Sequence, residues 1–220
     1  MTGVQKIRVL LVDDHEVLRD TLAARINAEP DMLVVGQAGD AEAGVREAKT
    51  GRPDIVLMDI DMPGSCPFAA ASTIGSRLPE TRIIFLSAYS HDMYIQQAIA
   101  VKAWGYVTKK ESYATICQAI REASAGSVFF SDDIQARVVS GPEGLELAPG
   151  TKARATLLTQ REVEVLRHLA RGLSTKEIAS AMHISVKTVN SHKTHLMCKL
   201  GHHDRVELAR YAFREGIATP

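Results

Sequence analysis

LLVDDHEVLRDTL (residues 10–22) is the stretch of sequence that determines the expected fold. It begins with consecutive apolar residues, which are typical of a short strand buried on both faces of a parallel sheet. The strand ends at Asp13-Asp14, and the residues that follow have the apolar spacing of an amphipathic helix. PDIVLMDIDMPG (53–64) begins in the same way and ends its strand at Asp59. The repeated order of buried strand and amphipathic helix predicts an α/β domain.

Five β–α units of this kind lie between Lys6 and Ala125. The predicted strands are Arg8–Val12, Leu33–Ala38, Ile55–Met58, Arg82–Leu86 and Tyr106–Thr108. The predicted helices are Val17–Ala28, Ala41–Thr50, Phe68–Arg77, Met93–Val101 and Ser112–Ser124. Because each strand is joined to the next through a helix, we predict a five-stranded, doubly wound parallel sheet with helices on both faces.

The remainder of the chain divides into a turn-rich segment and a purely helical one. Turn residues such as Ser140-Gly-Pro-Glu-Gly and Pro149-Gly predict a linker over 129–155, with a short helix near its start. Beyond it, Thr159-Gln-Arg-Glu162 and Ser174-Thr-Lys-Glu177 are capping boxes that each begin a helix. Two further helices are expected at 186–200 and about 205–215. We therefore predict a domain at 1–128, a linker at 129–155 and a small all-α domain of four helices at 156–220.

Charge is distributed unevenly between these two domains. The chain has no net charge, but residues 156–220 carry ten Lys and Arg against six Asp and Glu. This excess of positive charge favours an anionic partner for the second domain. The longest apolar runs are far shorter than the ~20 residues that a membrane span needs. The N-terminus also lacks the pattern of a secretory signal, so we expect a cytoplasmic protein with no membrane partner.

Polar residues that follow the predicted strands indicate a phosphoryl-transfer site. Asp13, Asp14 and Asp59 follow strands one and three, and Ser87 and Lys109 follow strands four and five. Ligands bind outside the carboxyl ends of parallel strands, so these side chains should converge. Grouped carboxylates suit Mg²⁺, an aspartate can accept a phosphoryl group, and the hydroxyl and ammonium groups can contact its oxygens.

Two helices of the basic domain, Ser174–Met182 and Val186–Leu200, have the short connection of a helix-turn-helix. The second helix presents a polar face largely opposite Val189 and Leu196. Lysines on such a face suit DNA phosphates, whereas amide and hydroxyl groups can reach base edges. The candidate DNA contacts are Lys187, Thr188, Asn190, Ser191, Lys193 and Thr194. From the residues alone, an ordinary solvated helix face remains the alternative.

The first domain resembles the receivers of two-component response regulators. The resemblance covers residues 6–125 and rests on the two stretches above, IIFLSAYS (83–90) and AWGYVTKK (103–110). It implies that Asp59 accepts a phosphoryl group from a sensor histidine kinase, with Mg²⁺ held by Asp13, Asp14, Asp59 and the backbone carbonyl of Asp61. It also implies that Ser87 and Tyr106 form the conformational switch and that Lys109 contacts the phosphoryl group. Ser65-Cys66-Pro67-Phe68 departs from the glycine-containing turn usual in receivers. This departure bears on kinase recognition or the rate of dephosphorylation, and it does not indicate loss of phosphorylation.

The second domain resembles the LuxR-type helix-turn-helix over residues 156–218. LTQREVEVLRHLARGLSTKEIASAMHISVKTVNSHKTHLMCKLG (158–201) carries this resemblance. A receiver followed by this module is the layout of NarL/FixJ-class transcriptional regulators. The resemblance implies double-stranded promoter DNA as a partner, a homodimer when phosphorylated, and RNA polymerase as a further candidate partner. It implies a regulator rather than an enzyme, one that takes part only in its own phosphoryl transfer and dephosphorylation.

Two other functions are considered. A Mg²⁺-dependent phosphohydrolase with an aspartyl nucleophile would explain Asp61, two residues after Asp59, but the Asp13-Asp14 pair and the missing cap domain argue against it. A DNA-binding protein could also use its receiver only as a dimerisation scaffold. Turnover of a small phosphate ester tests the first alternative, and phosphorylation of Asp59 tests the second.

Overall fold

A computed structural model describes residues 6–62, 64–88, 90, 92–141, 144–148, 158–202, 204–214 and 217–218. The chain forms two compact units, Met1–Ala155 and Thr156–Pro220. No helix within the described ranges is both long enough and apolar enough to cross a membrane. The cytoplasmic location stays a prediction.

The first unit is built on a parallel sheet with the strand order β2-β1-β3-β4-β5-β6. The strands are Ile7–Val12 (β1), Met32–Ala38 (β2), Ile55–Asp59 (β3), Arg82–Ser87 (β4), Gly105–Thr108 (β5) and Phe129–Phe130 (β6). The connecting helices are Glu16–Ala28 (α1), Ala41–Gly51 (α2), Pro67–Arg77 (α3), Asp92–Ala100 (α4) and Tyr113–Ala125 (α5). The predicted doubly wound parallel sheet is confirmed, but it has six strands rather than five.

The sixth strand consists of Phe129 and Phe130, which the sequence analysis had assigned to the linker. These residues pair in parallel with Gly105 and Tyr106 of β5. A Cβ atom at Gly105 would lie 2.9 Å from the Phe129 carbonyl oxygen, so this close pairing requires glycine. Two residues are too few to produce a periodic pattern, and the strand forms only because the edge of β5 is present to pair with it.

Further secondary structure follows β6 within the predicted linker. The helix Asp132–Gln135 (α6) is shorter than expected, and an antiparallel hairpin of Val138–Gly141 (β7) and Gly144–Leu147 (β8) follows it. Of the predicted turn Ser140-Gly-Pro-Glu-Gly, Ser140, Gly141 and Gly144 belong to the two strands of this hairpin, and Pro142 and Glu143 lie outside the described residues. The second predicted turn, Pro149-Gly, lies outside the described residues.

The central strands are buried because they are covered on both faces. Every residue of β3 is buried, as are Val9–Val12 of β1. Helices α1 and α5 contribute to one core cluster with Ile26, Ile120 and Ala123. Pro67 occupies the first turn of α3, where the missing N–H costs nothing, so the unusual Ser65–Phe68 segment still begins a regular helix.

The described residues of the second unit form four helices, as predicted. They are Gln160–Ala170 (α7), Thr175–Met182 (α8), Val186–Leu200 (α9) and Arg205–Arg214 (α10). Both predicted capping boxes form, and the Ser185 side chain accepts the N–H of Thr188 at the start of α9. Gly201 ends α9 in the left-handed conformation, with φ of 65°. The apolar faces of all four helices meet in one core that includes Leu166, Ile178 and Leu208.

Candidate functional site

The carboxyl ends of four strands bring the predicted acidic and basic side chains together. Asp13 follows β1, Asp59 ends β3, Ser87 ends β4 and Lys109 follows β5. Asp13 and Asp59 are 6% and 1% exposed, which is exceptional for carboxylates and requires compensating partners. The sheet therefore places the charged groups of distant sequence segments in one cleft.

Lys109 provides the compensating positive charge. Its Nζ lies 2.7 Å from Asp13 Oδ2 and 2.8 Å from Asp59 Oδ2. Its backbone N–H donates to the Ser87 carbonyl oxygen at 2.7 Å, which continues the β4–β5 pairing by one residue. One ammonium group thus bridges two strands through their carboxylates.

The electrostatics of this group follow from burial and pairing. Burial raises the pKa of Asp59 above its usual value, and the Asp13 charge acts in the same direction, whereas Lys109 opposes the shift. Burial disfavours the Lys109 ammonium, but attraction to Asp59 and hydrogen bonds to both carboxylates raise its pKa overall. The site therefore holds a protonated lysine next to a carboxylate that is costly to keep charged.

A histidine that the sequence analysis did not single out also belongs to this cluster. His15 Nδ1 lies 3.0 Å from Asp14 Oδ1 and 3.3 Å from Asp13 Oδ1. One donor atom from each of Asp13, Asp14, His15 and Asp59 lies within 4.8 Å of the others. The position of His15 directly after the Asp13-Asp14 pair is the feature of the sequence that could have identified it as part of the site.

The donor set fits a hard divalent cation, because three carboxylates supply the oxygen ligands that Mg²⁺ prefers. Asp61 lies beside them and donates its backbone N–H to Asp59 Oδ1 at 3.1 Å. The Asp61 carboxylate is not one of the clustered groups.

Ser87 and Tyr106 form a buried pair beneath the acidic cluster. Both side chains are 0% exposed, and they are hydrogen-bonded to each other. Burial raises the pKa of the Tyr106 phenol, so the hydroxyl remains protonated. Tyr106 is thus turned inward in this structure.

In the second unit, α8 and α9 are joined by the short connection expected of a helix-turn-helix. His183 ends α8 in the left-handed conformation, and Ser185 caps α9 two residues later. Among the predicted DNA contacts on α9, Lys187 is exposed and Thr194 is only 2% exposed. The intermediate members are Thr188, Asn190, Ser191 and Lys193. The Thr194 hydroxyl is therefore not accessible in this structure, contrary to the expected polar face.

Comparison with known proteins identifies the family. Residues 9–121 match the response regulator receiver domain, and residues 156–212 match bacterial regulatory proteins of the luxR family. The chain belongs to the LuxR-type response regulators. It is similar to the transcriptional regulatory protein LiaR of Bacillus subtilis, with 38% identity over 97% of this chain and 100% of LiaR.

Two further similarities extend over one or both units of this response regulator. The response regulator protein VraR of Staphylococcus aureus is 31% identical over 96% of this chain and 98% of its own length. The crystal structure of a LuxR-family two-component response regulator from Aurantimonas has 32% identity and a TM-score of 0.57. It covers 60% of this chain and 94% of that one. The predicted layout of a transcriptional regulator, with a receiver followed by a LuxR-type DNA-binding domain, is confirmed.

Proposed function

We propose that this response regulator accepts a phosphoryl group on Asp59 from a sensor histidine kinase and then binds promoter DNA as a homodimer. The observation that carries this proposal is the Lys109 ammonium, which contacts the Asp13 and Asp59 carboxylates at 2.7 and 2.8 Å. A salt bridge of this kind at the carboxyl end of a parallel sheet places positive charge where a phosphoryl group would be received.

Asp59 is the proposed acceptor because the resemblance to receivers assigns it that position, and its carboxylate contacts the Lys109 ammonium at 2.8 Å. A carboxylate oxygen of Asp59 forms the bond to phosphorus as the phosphorus–nitrogen bond of the kinase phosphohistidine breaks. Lys109 then shifts part of its contact to the phosphoryl oxygens, where its charge offsets theirs. The Ser87 hydroxyl lies at the end of the neighbouring strand and donates a hydrogen bond to the same group.

We propose that Asp13, Asp14, Asp59 and the backbone carbonyl of Asp61 hold Mg²⁺. When bound, Mg²⁺ offsets charge on the transferring group and helps to align it. Asp13 also holds Lys109 in place, so its substitution should affect both the cation and the lysine.

For the second unit, we propose that α9 enters the major groove of promoter DNA. Lys187 and Lys193 suit phosphates, and the amide and hydroxyl groups of Thr188, Asn190 and Ser191 suit base edges. Thr194 would contribute only if it became exposed. Dimerisation through α10 would present two such helices to half-sites ~10 bp apart, and RNA polymerase is a further proposed partner.

The proposed domain boundaries are a receiver at 1–128 extended by β6, a linker that reaches residue 155, and the LuxR-type domain at 156–220. We further propose that phosphorylation changes the β4–α4 region through Ser87, and that this change controls dimerisation and DNA binding.

Intact mass spectrometry tests the acceptor. The full-length protein is incubated with a small-molecule phosphodonor and Mg²⁺, alongside the Asp59→Asn variant and an EDTA control. We expect one phosphoryl adduct on the wild-type protein and none in either control. No adduct from either the small donor or a phosphorylated kinase domain would instead support a receiver that serves only as a scaffold.

A further inference from the structure

Arg137, at the start of the β7–β8 hairpin, contacts the segment that connects β4 to α4. Its Nη1 donates to the Ser90 carbonyl oxygen at 2.7 Å and to Asp92 Oδ1 at 2.7 Å. Its Nε donates to the Asp133 carbonyl oxygen at 2.9 Å. The guanidinium therefore joins α6 to the first turn of α4, and we refer to these contacts as the Arg137 clasp.

The backbone of Arg137 belongs to the base of the hairpin. Its carbonyl oxygen accepts the N–H of Ala148 at 2.9 Å, directly beyond the pairing of Val138 with Leu147. Its own N–H donates to the Ile134 carbonyl oxygen at 2.8 Å. The backbone of Arg137 is therefore hydrogen-bonded to both α6 and the end of the hairpin, so loss of its side-chain contacts would affect both elements.

The clasp lies next to the buried Ser87–Tyr106 pair. Ser90 and Asp92 follow Ser87 by three and five residues, so the end of β4 leads directly to the clasp. Burial is the main cause of the raised pKa of Tyr106, and the nearby Arg137 charge acts against it. A second contact joins Tyr106 to the residue that precedes α6, because the Ser131 N–H donates to the Tyr106 carbonyl oxygen at 3.1 Å.

The clasp is built from partly desolvated charges. The side chains of Arg137 and Asp92 are 26% and 12% exposed, so solvent screens the pair less than it screens a surface salt bridge. The contact to Asp133 on α6, at 3.8 Å and with Asp133 52% exposed, is the weaker one. The contacts to Ser90 and Asp92 therefore provide most of the restraint.

We propose that Arg137 is a positioning residue that links Ser87 and the β4–α4 segment to the β7–β8 hairpin. The proposal rests on the phosphorylation of Asp59 proposed above. When Ser87 moves toward the phosphoryl group, Ser90 and Asp92 move with it and leave the guanidinium. The clasp opens and the hairpin, which precedes the LuxR-type unit in the sequence, becomes less stable.

Hydrogen exchange of the full-length protein, measured by mass spectrometry with and without the phosphodonor and Mg²⁺, tests this link. Intact mass of the same samples establishes whether Asp59 is modified. In the wild-type protein, we expect peptides spanning 138–147 to exchange at least about tenfold faster after phosphorylation, since charge-assisted hydrogen bonds are lost. In Arg137→Ala, exchange should be fast in both states, and phosphorylation should add no further increase.

Asp92→Asn weakens the clasp from the other side and should reduce the effect of phosphorylation in the same way. Arg121→Ala is the matched control. Arg121 lies on α5, and like Arg137 it contacts carboxylates, those of Glu29 and Asp31. It should leave exchange of the hairpin at the wild-type rate in each state.

In the phosphorylated protein, two results would overturn the proposed role of Arg137. The first is an Asp59 adduct with unchanged or slower hairpin exchange. The second is an Arg137→Ala protein in which phosphorylation still accelerates exchange as in the wild type, which would mean that Arg137 has a structural role only. Absence of any adduct, which the mass measurement identifies, means that the proposed phosphorylation has failed. The clasp is then tested in the unmodified protein, where hairpin exchange in Arg137→Ala that is no faster than in the wild type would overturn it.

Discussion

Glu162 supports the second unit from a buried position, and its substitution should destabilise that unit selectively. The Glu162 side chain is 3% exposed, and its Oε2 lies 2.5 Å from Lys199 Nζ. The same oxygen accepts the Thr159 N–H at 2.7 Å and the Thr159 hydroxyl at 2.9 Å. One carboxylate thus caps α7 and holds it against α9.

The expected loss of stability is large relative to the size of the unit. Removing one partner of a buried ion pair costs about 3–5 kcal/mol, because the other charge remains desolvated. A unit of this length is stable by roughly 3–10 kcal/mol in total. Glu162→Ala should therefore remove about a third or more of the stability of the second unit, whereas Glu162→Gln, which retains an acceptor for Thr159, should cost less.

The single tryptophan of the chain allows the two units to be observed separately. Trp104 lies in the first unit, so its fluorescence reports unfolding of the receiver, whereas far-UV circular dichroism reports helices of both units. In urea, Glu162→Ala should lose circular dichroism at low denaturant while the Trp104 transition remains near that of the wild type.

An exposed pair on the same helix provides the control. Arg161 and Glu164 are 2.9 Å apart with side chains 60% and 32% exposed, so Glu164→Ala should cost no more than about 0.5 kcal/mol. If Glu162→Ala and Glu164→Ala shift the circular dichroism transition equally, the assignment of Glu162 as a buried anchor is wrong.

Three further predictions concern the receiver site and α9. Burial raises the pKa of Asp59 in the folded state, so its contribution to stability is present at acid pH and is lost as pH rises through the folded pKa. In EDTA, the stability of Asp59→Asn relative to the wild type should therefore increase as the pH rises above about 4, the ordinary pKa of an aspartate, in urea unfolding followed by Trp104 fluorescence; no increase would contradict the raised pKa. Lys109→Ala removes a cation from two carboxylates, so calorimetry should detect Mg²⁺ binding at least about tenfold tighter, and equal affinity would count against a shared site. Lys187→Ala should weaken binding to all DNA sequences and reduce the salt slope by about 1, whereas Asn190→Ala should reduce discrimination between sequences; the reverse pattern would exchange the proposed roles.

Much of this architecture could be predicted because the signals are local. Consecutive apolar residues identify β1 and β3, and the capping boxes at Thr159 and Ser174 identify the starts of α7 and α8. In a parallel sheet, residues at the carboxyl ends of strands meet, so the grouping of Asp13, Asp59 and Lys109 also followed from strand order. The strand and capping patterns are each complete within one short segment, and the grouping needs in addition only that the strands are parallel.

Other features depend on partners that are distant in the sequence. Phe129 and Phe130 become a strand only beside Gly105, whose lack of a side chain permits the close approach. Arg137 is one of many arginines until the fold places Ser90 and Asp92 within hydrogen-bonding distance. The sequence by itself determined strands β1 to β5, the helices that follow them, the four helices of the second unit and the chemistry at the strand ends, since these depend on local propensity and periodicity. Tertiary structure alone decided the sheet edge, the burial of Thr194 and the partners of Arg137, because hydrogen bonds and desolvation depend on which distant groups surround a residue.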